Sequence, residues 1–169
     1  MSAFMPAFDF LMDSEDPKRE FQCVPDNKGL VISGVNSLEW PDDFKAINAL
    51  PVHGRPFAVA AFYQKNYWNP LLLAQINSQD IANRVLDQSV NGGNSSAVSM
   101  LQNACGFCGQ TVTADGVMGP NTLAAVNACD PVALLDQYRQ ERLHHYVAVA
   151  AAHPEWSSDL AGWEARALR

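Results

Sequence analysis

Apolar residues recur at helical spacing at Phe4, Ala7, Phe8, Leu11 and Met12, which predicts a first helix burying one face and ending at Glu15. The stretch from Glu15 to Asn36 is polar, with Gly and Pro, and has one short apolar run, Leu30-Val31-Ile32, that suits a small hairpin. A short helix fits between Trp40-Pro41 and Pro51, followed by a loop to Arg55. Pro56 is placed to open a helix through Trp68, which Asn69-Pro70 ends. Asp80 can cap a helix in which Ile81, Val85, Leu86, Ser89 and Val90 share a face, and Asn91-Gly92-Gly93 stops it. Ser95 or Ser96 can cap the next, which carries Val98, Leu101 and Ala104. Thr113 to Gly119 reads as a turn and Pro120 opens a helix through Ala128. Asp130-Pro131 then starts a long helix bearing Leu134, Leu135, Tyr138, Arg142, Tyr146 and Val149, closed by His153-Pro154. The predicted class is mainly α, with at most a small β-hairpin.

Size and charge narrow the function. At 169 residues the chain makes one domain or two small lobes sharing a core, and 48% hydrophobic against 17% charged residues is a globular composition. The net charge of −7 leaves no basic patch for nucleic acid and argues against simple electrostatic capture of an anionic cell wall. The richest apolar stretch, Val147 to Ala152, is far too short for membrane insertion. No basic region precedes an apolar core near the N-terminus, so synthesis in the cytoplasm without a Sec signal is expected. Cys105-Gly-Phe-Cys108 is half of a zinc pattern without its second pair. Together with Cys23 and Cys129, the blander readings are buried thiols or a disulfide formed outside the cytoplasm. No metal or organic cofactor is expected.

Glu15 is the leading candidate for chemistry. A carboxyl that touches apolar surface on one side and opens onto a loop on the other favours its proton-carrying form, as a general acid requires. Glu20 is the rival, but it lies in the polar run Asp16-Pro17-Lys18-Arg19-Glu20, where the neighbouring cations favour its charged form. Asp26 opens the segment with the apolar hairpin run, although Asp before Asn and Gly is also an ordinary turn. Tyr67 and Trp68 end a helix; one aromatic face can line a sugar cleft, while core packing is the plainer role for Trp68. Asp87, Gln88 and Asn91 lie within about a turn of one another, so their polar groups can converge.

From Phe4 onward the chain resembles the glycoside hydrolase family 108 lysozyme-like proteins, with their C-terminal peptidoglycan-binding-type segment. Phe4 and Glu15 reproduce the spacing from the family's phenylalanine to its catalytic glutamate. The likeness continues through Tyr67-Trp68, Leu86-Asp87-Gln88-Ser89-Val90-Asn91-Gly92-Gly93 and Leu101-Gln102. It then runs through Asp115-Gly116-Val117-Met118-Gly119-Pro120-Asn121-Thr122-Leu123 to Gly162-Trp163 and Arg166.

The resemblance implies a lysozyme-like fold with a catalytic segment at residues 1–93 and a helical peptidoglycan-binding-like segment at 94–169, packed as one unit. It implies an N-acetylmuramidase that cleaves the β-1,4 bond between N-acetylmuramic acid and N-acetylglucosamine, acting on the wall in the periplasm or outside the cell. Phage endolysins and secretion-related proteins share the family, so a secretion apparatus or an immunity protein joins the peptidoglycan strand among the implied partners. Glu15 takes the role of acid and Asp26 that of second carboxylate, with Ser33, Tyr67, Gln88 and Asn91 as substrate contacts.

The chain also departs from the family. Asp16 and Pro17 replace two glycines, the interval from Glu15 to Asp26 is two residues longer, and Val31 stands where a threonine helps to place water. Valine cannot hydrogen-bond a water, and Ser33, two positions on, is the expected substitute. These departures keep two alternatives open: a non-catalytic glycan-binding or secretion-accessory protein, and a hydrolase of a chitin-type glycan.

Overall fold

The structure is a computed structural model that describes residues 1–26 and 29–169. It is mainly helical, with eight α-helices and one small sheet among the described residues. Helix α1 (Phe4–Glu15) buries Ala7, Phe8, Leu11 and Met12, the face its periodicity predicts. A three-stranded antiparallel sheet follows, in the order β1 (Val24–Asp26), β2 (Gly29–Ile32) and β3 (Val35–Asn36). Its strands pair Val24 with Val31 and Ile32 with Val35, so the expected hairpin gains a third strand. The turn expected at Asn27-Lys28 lies outside the described residues. Side chains alternate across a strand, and here Ile32 and Val35 are fully buried while Val31 faces a cleft.

Helix α2 spans Pro41–Asn48 and α3 spans Arg55–Tyr63. A π-helical turn, Gln64–Trp68, extends α3 to the predicted end. Helices α4 (Gln79–Gly92) and α5 (Asn94–Phe107) meet at Gly93, whose φ of +85° is the left-handed conformation that glycine adopts without strain. The cap of α4 is Ser78 rather than Asp80: its hydroxyl accepts the Ile81 N–H at 3.5 Å, and Asp80 sits in the first turn. Helix α6 (Pro120–Ala128) opens on its proline. Helix α7 (Pro131–Ala152) opens on the predicted Asp130-Pro131 pair, with Asp130 accepting the Ala133 N–H at 2.9 Å. A short 3-10 turn, Pro154–Asp159, leads to α8 (Leu160–Leu168), a helix the sequence pattern does not announce.

Helix α4 is the axis of the fold. Every residue from Ile81 to Ser89 is buried, because α1, α5 and α7 all pack around it. Its apolar face carries Ile81, Val85 and Leu86, as the spacing predicts. Ser89 is buried on that face too, while the other faces bury Asn83, Arg84, Asp87 and Gln88, which apolar periodicity does not show. An ionised carboxylate is costly to bury unless cations and donors surround it. Asp87 is fully buried, and its Oδ2 accepts from Arg142 Nη2 at 2.6 Å. Arg166 Nη2 reaches Asp87 Oδ1 at 3.0 Å and Arg169 Nη2 reaches it at 3.4 Å. This one side chain therefore ties α4 to α7 and α8.

The fully buried pair Asp87–Arg142 sets an expectation for stability. Asp87→Asn and Arg142→Met should each cost about 3–5 kcal/mol, because removing one partner strands the other charge without compensation. Denaturant titration of both variants checks this, with the double variant expected to cost less than the sum.

Candidate active site

A cleft of about 640 Å³ opens where the end of α1, the small sheet and the end of α8 meet. Glu15, Asp26, Ser33 and Asn91, all singled out in the sequence, line it together with Val31. Asp16, Glu20, Gln22, Glu39 and Trp163 complete much of the wall. The lining is strongly acidic, with five carboxylates from Glu15, Asp16, Glu20, Asp26 and Glu39.

Glu15 projects from the last residue of α1, anchored by the buried face beneath it. Its surroundings differ from the apolar contact expected from sequence. Oε1 accepts from Arg166 Nη2 at 2.7 Å, and both side chains are largely shielded from solvent. Burial opposes the charge of Arg166, but Asp87 and Glu15 outweigh it and raise its pKa, so the guanidinium keeps its proton. Oε2 lies against Gly34: a Cβ there would stand 2.7 Å from Oε2 and would overlap the Tyr63 hydroxyl. Burial, and then the Glu15 charge, raise the Tyr63 phenol well above its ordinary pKa, so it stays a neutral donor. That hydroxyl donates to the Ser33 carbonyl at 2.8 Å. Glu15 is thus a positioned carboxylate between a fixed cation and the hairpin turn.

The turn itself is Ser33-Gly34, with φ of +47° and +84°. Positive φ at both central residues is the two-residue hairpin geometry whose twist matches paired strands. Ser33 therefore leaves the strand and does not continue the face of Val31. Its hydroxyl donates to Asp16 Oδ2 at 2.7 Å. Asp16 also accepts the Phe21 N–H at 2.8 Å and the Glu20 N–H at 3.1 Å. Arg19 and Phe21 take left-handed φ of 55° and 50° in that loop. Such conformations persist where surrounding bonds over-determine them. Asp16 supplies two of those bonds, and Arg55 Nη1 adds a third by donating to the Phe21 carbonyl at 3.0 Å.

The remaining sequence candidates divide. Asn91 reaches the cleft from the last turn of α4 and donates to the Tyr146 hydroxyl at 2.7 Å. Gln88 does not reach it. Gln88 is fully buried, and its Oε1 accepts from Arg142 Nε at 2.8 Å and from the Tyr146 hydroxyl at 3.0 Å. Gln88 lies almost a turn further back along the same face of α4 as Asn91, where α7 covers it. Tyr67 is also not part of the lining: its ring is half-buried in an aromatic cluster with Trp40, Phe62 and Tyr63. Asp16, Arg166 and Trp163 are the participants that sequence reasoning did not assign to the site. Trp163 and Arg166 carry no signal in the sequence that brings them to Glu15, because the helix they sit on is not announced by its pattern.

A mainly-α lysozyme-like fold with a carboxylate cleft between the first helix and a small sheet defines the class. Residues 39–93 match the family described as glycosyl hydrolase 108, and residues 96–168 match the predicted peptidoglycan domain. These two matches support, at family level, a peptidoglycan hydrolase acting on the cell wall. The glycosyl hydrolase match begins after Glu15 and Asp26. Among solved structures, SagA of Brucella abortus shares the fold, with a TM-score of 0.67 and 23% identity over 98% of this chain and 93% of that one. No curated protein matches the chain. Among the described residues no helix is long and apolar enough to cross a membrane.

Two outcomes follow from the turn and the loop. Gly34→Ala should lower stability by about 1–3 kcal/mol through overpacking. Gly93→Ala, with similar φ and nothing within 4 Å of the added Cβ, should cost only the backbone strain; thermal unfolding compares the two. The second outcome concerns pH. Burial raises the Asp16 pKa, but the bonds from Ser33, Phe21 and Glu20, with the Arg19 charge, outweigh it and hold it below 3.8. A carboxyl lowered in the folded state stabilises above its unfolded pKa, and this contribution is lost as pH falls through the folded value. The stability difference between wild type and Asp16→Asn should therefore shrink as the pH drops below 3.8. Urea midpoints measured across that range check it.

Proposed function

We propose that the protein is an N-acetylmuramidase, with Glu15 as general acid and Asp26 as second carboxylate. The observation that carries the proposal is that Glu15, at the end of α1, and Asp26, on β1, line the same cleft. Glycoside cleavage needs one carboxylic acid on the leaving oxygen and a second carboxylate that either attacks the sugar or activates water. In this reading a proton enters on Glu15 as Arg166 turns toward Asp87, which already holds its Nε at 3.1 and 3.2 Å. Glu15 gives that proton to the oxygen between N-acetylmuramic acid and N-acetylglucosamine. The C1–O bond breaks, the N-acetylglucosamine side leaves as an alcohol, and Asp26 stabilises the cationic sugar or deprotonates the incoming water. Ser33 and Asn91 contribute hydrogen bonds from the cleft wall.

The ion pair between Arg166 and Glu15, together with Val31, which offers the cleft no side-chain hydrogen bond, favours one second reading: a glycan-binding protein that has lost turnover. Hydrolysis of purified peptidoglycan separates the two. Wild type should release soluble fragments, and Glu15→Gln should keep the fold by circular dichroism while losing at least about a hundredfold in rate. A Glu15→Gln protein with near-normal turnover removes Glu15 from the mechanism, and an inert wild type that still binds the polymer selects the second reading. Val31→Thr should raise the rate of an active enzyme, because a correctly placed hydroxyl is worth about 0.5–1.5 kcal/mol.

A further inference from the structure

Three of the four cysteines converge at a place that does not line the cleft. Cys105 lies on the buried side of α5, Cys108 caps the C-terminal end of that helix, and Cys129 caps the end of α6. The two helices pack against each other. Cys105 and Cys129 belong to the buried apolar core, and Cys108 packs against its edge. The Cys129 thiol donates to the Ala125 carbonyl at 3.2 Å, a bond within its own helix that fixes where the sulfur stands. From there it is the hydrogen-bond neighbour of both the Cys105 and the Cys108 thiols. All three are free. Among the described residues no group of three or more His, Cys, Asp or Glu side chains is placed to hold a metal ion.

Thiols apposed from different elements can close a disulfide, provided one of them meets an oxidant. The two neighbours of Cys129 differ in that respect. Cys105 is fully buried, and burial together with the adjacent Cys129 thiol pushes it up to about 12, so it keeps its proton and stays inert. Cys108 is only partly buried, and of the three it is the thiol that a reagent in solution reaches.

We infer that Cys108 and Cys129 are an oxidation site, joined by a disulfide that stays open in a reducing compartment and closes in an oxidising one. The oxidant is an external disulfide, such as oxidised glutathione or a thiol–disulfide oxidoreductase. The Cys108 thiolate attacks one of its sulfurs and releases the other as a thiol. Cys129 then loses its proton, attacks the Cys108 sulfur of the mixed disulfide and releases the second thiol. Both electrons and both protons thus pass to the external disulfide. The bond closes a loop of roughly twenty residues, which contains α6 and the turn before it, and ties that loop to α5. No turnover at the cleft is involved, so the cross-link stands or falls apart from the hydrolase reading.

The test uses the full chain, first reduced, then equilibrated with oxidised glutathione and alkylated. Mass spectrometry should find two alkylated cysteines where the reduced chain has four. Chymotrypsin cuts after Phe107 and so separates Cys105 from Cys108; the linked peptides should pair Cys108 with Cys129. The oxidised form should unfold about 5–10 °C above the reduced form. Cys129→Ser should abolish the bond and this gain, whereas Cys105→Ala and Cys23→Ala should each keep both. Because burial raises the Cys108 pKa as well, closure should become faster as pH rises above neutral. A bond through Cys105 or Cys23, a glutathione adduct that persists on Cys108, four alkylated cysteines after oxidation, or a cross-link without thermal gain would overturn the inference.

Discussion

One buried carboxylate organises this molecule. Asp87 sits at zero exposure in the central helix, and its charge is tolerable only because Arg142, Arg166 and Arg169 converge on it. The three arginines come from the long helix and from the C-terminal segment, so the requirement to neutralise one group draws α7 and the C-terminal segment onto α4. Replacing such a cluster with apolar residues is often neutral or stabilising, so stability alone gives it little reason to exist. What it adds here is placement. Arg166, held by Asp87, presents its remaining donors to Glu15 Oε1 at 2.7 Å and to Asn91 Oδ1 at 3.5 Å.

The same chain of contacts fixes what the cleft can do. Glu15 is bounded by a cation on one oxygen and by a glycine turn on the other. The turn is in turn pinned by Tyr63 through a carbonyl and by Asp16 through a hydroxyl. Asp16 sits at the centre of the loop that follows Glu15. In this chain, a carboxylate that accepts two backbone N–H groups and a hydroxyl holds the loop in its left-handed conformation. Asp16 therefore holds the loop and adds a charge to an already acidic wall.

Much of the fold was legible in the sequence where a single physical signal was strong. Helix α1, the Asp130-Pro131 opening of α7 and the Asn91-Gly92-Gly93 stop needed only periodicity and capping chemistry. Helix α8 was not legible, because its small apolar residues carry little pattern and its anchors, Arg166 and Ala167, bury against distant elements. The site was half legible. Glu15, Asp26, Ser33 and Asn91 line one cleft, since each lies where a helix or a strand ends. Gln88 and Tyr67 do not, because position along α4 does not show where α7 covers its face, and an aromatic at a helix end can pack as readily as it can line a cleft. The Glu15 environment was read as apolar because its cation lies far away in the sequence, at Arg166. Long-range charge pairing of that kind leaves no periodic trace.

The central claim, that the cleft cuts the glycan at N-acetylmuramic acid, is tested most directly by the identity of the sugar end it creates. Purified peptidoglycan should be digested with wild-type protein, reduced with borohydride and analysed by mass spectrometry. Cleavage of the bond proposed here frees C1 of N-acetylmuramic acid, so newly formed ends should appear as the reduced muramic sugar and should be absent from the Glu15→Gln digest. New ends at reduced N-acetylglucosamine, or none above the untreated polymer, would contradict the account.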